Sequence, residues 1–218
     1  MKFMREGYSQ QLESITHDLV VMTELVGVAI TEATSALLDD NLELAQSVID
    51  GDARIDQINA ALEERCFKIA ALQAPMGTDL RLVMGGIKIA TSLERMGDLA
   101  VHIAKQVRLR YPSVSIPSDL SATFMEMGEA AKKIVFATGR VVESRDTNLA
   151  DEIKTYDDTL DRLHRELFSA VLADEWAHGV EAAIDVTLLS RFYERFGDHA
   201  VTVARRVIHI VTGEPYAK

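Results

Sequence analysis

Four pairs of acidic residues in this chain share one spacing. Asp52 and Asp56, Glu94 and Asp98, Asp157 and Asp161, and Glu194 and Asp198 each stand four positions apart. On an α-helix that spacing stacks the two carboxylates on one face. Like charges so placed destabilise a helix by about 0.2–0.5 kcal/mol unless a cation relieves them. Carboxylate oxygens suit hard cations such as Mg2+, Ca2+ and Mn2+, or iron, and the lack of clustered Cys and His argues against structural zinc. If two helices carrying such pairs lie side by side, four carboxylates converge. The alternative is a solvated face, because a chain with 34 acidic residues forms such pairs by chance.

Glycine lies inside two of the pairs, at Gly97 and Gly197. A mid-helix glycine costs roughly 0.8–1.0 kcal/mol against alanine. Either close helix packing or room for ions over the carboxylates would justify it. His102 lies one turn beyond Asp98 and could join a site, whereas His199 points about 100° away from Asp198. Arg81, Arg95, Arg191 and Arg195 flank the acids and are expected to pair with neighbouring carboxylates. The Glu-x-x-His motif of diiron-carboxylate bundles is missing, as are His-Glu-x-x-His, Gly-x-Ser-x-Gly and P-loop motifs.

The elements that must position these acids come as a duplication. Glu94-Arg-Met-Gly-Asp98-Leu-Ala-Val returns as Glu194-Arg-Phe-Gly-Asp198-His-Ala-Val, an offset of 194 − 94 = 100 residues. Earlier in each module the offset is 105, with Asp52 matching Asp157 and Asp56 matching Asp161. The second module is therefore five residues shorter, and the loss is expected near the turn between its second and third helices, where deletions are tolerated. Apolar residues at spacings of three and four predict a first helix from about Ser9 to Leu38 and a second from Leu42 to Leu72. Asn41 is a candidate cap for the second helix, and Thr78 for a third that runs to about Arg110. A proline-flanked linker follows. Module two then predicts helices from Asp119 to Glu143, from Leu149 to Val171, and from Val180 to Val211, the last ended by Gly213-Glu-Pro215.

The fold class is all-α: two tandem three-helix bundles related by internal duplication, spanning 1–111 and 119–218 with a linker at 112–118. Composition agrees, since only four prolines interrupt 218 residues and aromatic residues make up only 6%. The 23 basic and 34 acidic residues give a net charge of −11, which repels nucleic-acid phosphates and anionic lipid heads. It suits cations or a basic protein partner. Cys66, the single cysteine, reads as a buried, inert thiol. The N-terminal residues lack the apolar run of a signal peptide, and no apolar stretch approaches the ~20 residues that span a bilayer. A cytoplasmic protein without direct membrane insertion is expected.

Ala74-Pro-Met-Gly-Thr-Asp79-Leu-Arg81, Lys88-Ile-Ala and Leu93-Glu94-Arg-Met-Gly-Asp98-Leu-Ala-Val-His-Ile-Ala104 closely resemble the signature of the PhoU family of phosphate-uptake regulators. The second Glu194-Arg-Phe-Gly-Asp198 fits that family's internal duplication. His102 stands where asparagine is often seen, and Gly179-Val-Glu181 replaces Asp79-Leu-Arg81 in module two. The resemblance implies multinuclear metal clusters on the E/D-x-x-x-D motifs, with iron, manganese, magnesium or zinc as the ions, and a frequent homodimer. It also implies a negative regulator coupling a phosphate ABC transporter, through its ATPase subunit, to a sensor histidine kinase. Two rival classes stand beside this non-enzymatic adaptor. A metal-dependent phosphohydrolase or oxidase would need an enclosed pocket and a general base of shifted pKa. A bare helical scaffold would hold no metal.

Overall fold

The computed structural model describes residues 2–214, and side chains from Gly7 onward. Met1 and the helix-terminating Pro215 lie outside the described residues. Six α-helices account for nearly all of it: α1 Lys2–Leu38, α2 Leu42–Gln73, α3 Thr78–Arg110, α4 Ser121–Ser144, α5 Ala150–Val171 and α6 Gly179–Thr212. Two short 3-10 turns, Ser118–Leu120 and Thr147–Leu149, precede α4 and α5. Helices α1, α2 and α3 form one bundle and α4, α5 and α6 the other, and the two bundles join where α1 meets α4 and α3 meets α6.

The duplication is visible in the packing. At the offset of 105, Thr23 matches Gly128 and Thr34 matches Gly139. A Cβ on Gly139 would meet Thr23 Oγ1 at 2.8 Å, and one on Gly128 would meet the Thr34 methyl at 2.3 Å. Each glycine thus admits the threonine of the opposite module, the exchange that a pseudo-twofold axis between α1 and α4 demands. Thr34 also shares a buried hydrogen bond of 2.7 Å with Tyr193 on α6. At the α3–α6 seam, Arg110 donates to Asp185 at 2.8 Å and also binds Glu181. At the far end of the same seam Arg81 Nε donates to the Ile210 carbonyl at 3.0 Å. The two helices are therefore antiparallel.

Several sequence expectations need correction. Asn41 does cap α2, accepting from the Leu44 N–H at 3.0 Å. Thr78, by contrast, is the first residue of α3, and Gly77 at φ 57° makes the turn before it. The backbone must pass through a left-handed conformation there, which glycine adopts at little cost. Arg81 binds the end of α6 and the Thr78 hydroxyl, not a carboxylate.

The five-residue deletion is not confined to a connection. Helix α5 stops at Val171, the counterpart of Cys66 (171 − 105 = 66), whereas α2 continues to Gln73. Of the extra turns of α2 only Ile69 is buried, while Phe67, Lys68, Ala71, Leu72 and Gln73 lie in solvent, so shortening them removes little core.

The expectation about apolar stretches also fails. Gly7–Leu38 of α1 is long and apolar enough, by length and composition, to cross a membrane. Its apolar arc is wide because it packs on α2, α3 and α4 at once. Ile15, Met22, Val26, Ile30 and Leu37 are fully buried there. Cys66 is buried as read, and burial pushes its thiol up to about 11.

Candidate metal centre

Helices α2 and α3 run antiparallel, and the pair on each meets at one level of the bundle. Gly97 marks the crossing: a Cβ there would touch Ile55 Cδ1 at 2.9 Å and Asp52 Oδ1 at 3.2 Å. The α5–α6 pair repeats this more tightly, with Asp157 Oδ1 at 2.6 Å and Leu160 Cδ1 at 3.0 Å from the corresponding point on Gly197. The bare glycine backbone thus does two things at once. It lets an aliphatic side chain pack closely, and it lets a carboxylate of the neighbouring helix lie over the helix that bears the second acidic pair.

The acids feel one another. Burial, then Asp56 and Asp98, push the Asp52 carboxyl up to about 6, and Lys105 opposes them. Burial, then Asp161, Asp198 and Asp158, push Asp157 up to about 6 against Lys154. Glu94 is raised by burial and by Asp98, Asp56 and Asp52, with Arg95 pulling the other way. Glu194 is raised by burial, Asp198 and Asp161, and lowered by Arg191. Each predicted set of four acids therefore shares one electrostatic environment: Asp52, Asp56, Glu94 and Asp98 in the first module, Asp157, Asp161, Glu194 and Asp198 in the second.

Cationic side chains hold part of this charge. Arg95 donates to Asp98 at 2.8 Å and lies 3.5 Å from Glu94. Arg191 binds Glu194. Arg195 instead lies near His199, whose imidazole is depressed by burial and then by Arg195. His102 packs its ring 5.2 Å from that of Phe192 and is depressed by burial, Lys105 and Arg195. Asp98 and Asp198 pull the other way on His102 and His199, but burial and the neighbouring cations prevail.

A metal ion fits the donor chemistry of these grooves. Asp157 Oδ1 and Glu194 Oε2 are buried oxygens without a hydrogen-bond partner. A buried, unpaired carboxylate oxygen is costly, and a hard cation is its natural complement. Among the described residues no three His, Cys, Asp or Glu side chains already close on a single point, so ligation requires the carboxylates to draw together. Two neighbours escaped the sequence reading. Asp158 adds charge beside Asp157, and His164, bonded to Ser190 at 2.8 Å, lies one turn beyond Asp161. Neither has the four-residue spacing that marked the others.

A carboxyl near pH 6 would also suit a general base. Yet Asp56 and Asp198 are exposed, unlike the acids of an enclosed catalytic pocket. An apolar groove of about 600 Å3 lies between α1 and α4 and contains none of the eight acids.

The comparisons with known proteins agree with this architecture. The PhoU domain family matches residues 19–107 and again 124–207. The phosphate-specific transport system accessory protein PhoU homolog 2 of Mycobacterium tuberculosis is 46% identical over 210 residues, covering 96% of this chain and 99% of its own. The crystal structure of PhoU from Pseudomonas aeruginosa superposes with a TM-score of 0.81 at 28% identity, over 95% of this chain and all of that one. The crystal structure of the phosphate transport system regulatory protein PhoU from Streptococcus pneumoniae has the same fold, with a TM-score of 0.86 at 23% identity over 97% of this chain and 99% of its own. These relatives are described as accessory and regulatory proteins, not as enzymes. Two copies of the PhoU domain, matched in sequence and packed as tandem three-helix bundles, make this chain a member of the PhoU family.

Proposed function

We propose that this protein is a cytoplasmic negative regulator of phosphate uptake and phosphate-starvation signalling. It couples a phosphate ABC transporter, through the ATPase subunit, to a sensor histidine kinase when phosphate is plentiful. One observation carries this reading: the end-to-end match, at 46% identity over 96% of the chain, to a phosphate-specific transport system accessory protein. The two modules, 1–111 and 119–218 about the 112–118 linker, give an adaptor two pseudo-equivalent faces. A homodimer would present each face twice. The net charge of −11 supports recruitment to the membrane through proteins and disfavours nucleic acid.

The eight acids hold metal ions, with iron, manganese, magnesium or zinc as the candidates. Bound metal neutralises carboxylates that otherwise repel one another across the α2–α3 and α5–α6 grooves. The orphaned oxygens of Asp157 and Glu194 support this part of the reading. Adaptor action requires that the protein bind the signalling-off state of its partner better than the on state. A coupling of about 1–3 kcal/mol is typical and shifts such an equilibrium from several-fold to a hundred-fold.

The experiment is a tagged pull-down from detergent-solubilised membranes of phosphate-replete cells. The ATPase subunit and the kinase are expected in the eluate. Recovery of neither, with the bait intact, would overturn the adaptor reading.

A further inference from the structure

The two acidic sites are related by the duplication but are not equal. In the α5–α6 site two carboxylate oxygens, Asp157 Oδ1 and Glu194 Oε2, are buried without a partner. Their counterparts in the α2–α3 site, Asp52 and Glu94, have no such orphaned oxygen. In the α2–α3 site Arg95 lies 2.8 Å from Asp98 and 3.5 Å from Glu94, so one guanidinium already serves both acids of α3. In the α5–α6 site the pairing is split differently. Arg191 binds Glu194 through Oε1, the oxygen other than the orphaned one, and Asp198 makes no ion pair among the described residues. Module two also carries Asp158, where module one has Ala53 (158 − 105 = 53). One feature runs the other way: Asp198 is more exposed than Asp98. Exposure leaves Asp198 free to turn toward an ion without first giving up a cation.

Affinity is the difference between what a ligand gains in the site and what the empty site already has. Carboxylates held by an arginine must surrender that bond to coordinate a metal. The buried, unpaired oxygens Asp157 Oδ1 and Glu194 Oε2 surrender nothing, although Glu194 must still release Arg191 at Oε1, and their desolvation has been met by folding. Resting on the metal-binding reading above, we propose that the two sites bind a divalent metal unequally, the α5–α6 site being the tighter and the first to fill. The α2–α3 site is then the one that empties and refills as metal supply changes.

The test is a Mn2+ titration of the metal-free full chain, with free Mn2+ read by electron paramagnetic resonance. The wild type is compared with Asp98→Asn and Asp198→Asn, and helix content is checked by circular dichroism. Two affinity classes at least tenfold apart are expected in the wild type. Asp198→Asn should abolish the tighter class and Asp98→Asn the weaker. Glu194→Gln and Glu94→Gln give a second, independent pair should either aspartate variant lose helix.

A single class of sites, halved equally by either substitution, would overturn the inequality while leaving metal binding by these acids intact. Loss of the weaker class in Asp198→Asn would reverse the assignment and overturn it as well. Mn2+ binding absent from the wild type, or unchanged in every variant, would defeat the underlying site reading and the inference with it.

Discussion

Asp157 Oδ1 lies over Gly197 so closely that a Cβ there would stand 2.6 Å away. A side chain on Gly197 therefore competes directly with the carboxylate for one position. In Gly197→Ala the free end of Asp157 must swing out, while the helix gains roughly 0.8–1.0 kcal/mol in propensity. The buried Leu160 methyl, 3.0 Å from the new Cβ, must also give and offsets that gain, so the expected protein is close to wild type in thermal denaturation yet binds less metal by elemental analysis. Unchanged metal with a lowered melting temperature would assign Gly197 to packing alone.

Asp157→Asn should behave the same way for a different reason. Asp157 Oδ1 is buried and unpartnered, and burial, then Asp161, Asp198 and Asp158, raise its pKa. An uncharged amide removes that repulsion, so the metal-free fold gains stability as the protein loses metal affinity. A variant less stable than wild type under chelation would show that the carboxylate makes favourable contacts in the metal-free protein.

The pH dependence follows with a definite sign. Asp52 and Asp157 titrate near 6 in the fold, above the ordinary carboxylate value of 3.8. Groups raised in the folded state bind protons better there than in the unfolded chain. Their stabilising contribution is complete below about pH 4 and is lost as pH rises through 6. His102, His164 and His199 are depressed and act in the opposite sense, losing their contribution as pH falls. The difference between wild type and the Asp52→Asn/Asp157→Asn double variant isolates the carboxylates. With chelator present, the wild type should gain stability relative to the variant as pH drops from 7.5 to 5. A flat difference curve would contradict the raised values.

Tyr193 ties α6 to α1 through its 2.7 Å bond with Thr34, and burial raises its phenol. Thr34 keeps its bond to the Ile30 carbonyl at 2.8 Å when the phenol is removed. Tyr193→Phe should therefore cost only about 1 kcal/mol, read by urea denaturation with an unchanged slope. A loss several times larger would mean that this bond organises the joint between the modules.

Much of this molecule was readable from spacing. The offset of 105 that aligns Asp52 with Asp157 also aligns Thr23 with Gly128 and Thr34 with Gly139, and the structure crosses these pairs, Thr23 on Gly139 and Thr34 on Gly128, in its pseudo-twofold contact. The paired acids likewise fall where two antiparallel helices bring them together, because a four-residue spacing fixes a helix face whatever the partner. What escaped depended on tertiary context. Arg81 reads as one more base beside acids, and only the antiparallel α6 reveals that it binds the Ile210 carbonyl. The shortening of α5 looked like a loop deletion because the sequence does not mark which turns of α2 project past the core. Nor does it distinguish the two acidic sites, whose difference lies in which oxygens are buried and which arginine reaches them.

The regulatory account is tested most directly by a phosphate-starvation reporter measured in high phosphate, with and without every copy of this family in the cell. Strains lacking all copies should express the reporter despite the phosphate, and returning this chain should restore repression. Equal repression in the deleted and intact strains would contradict the account.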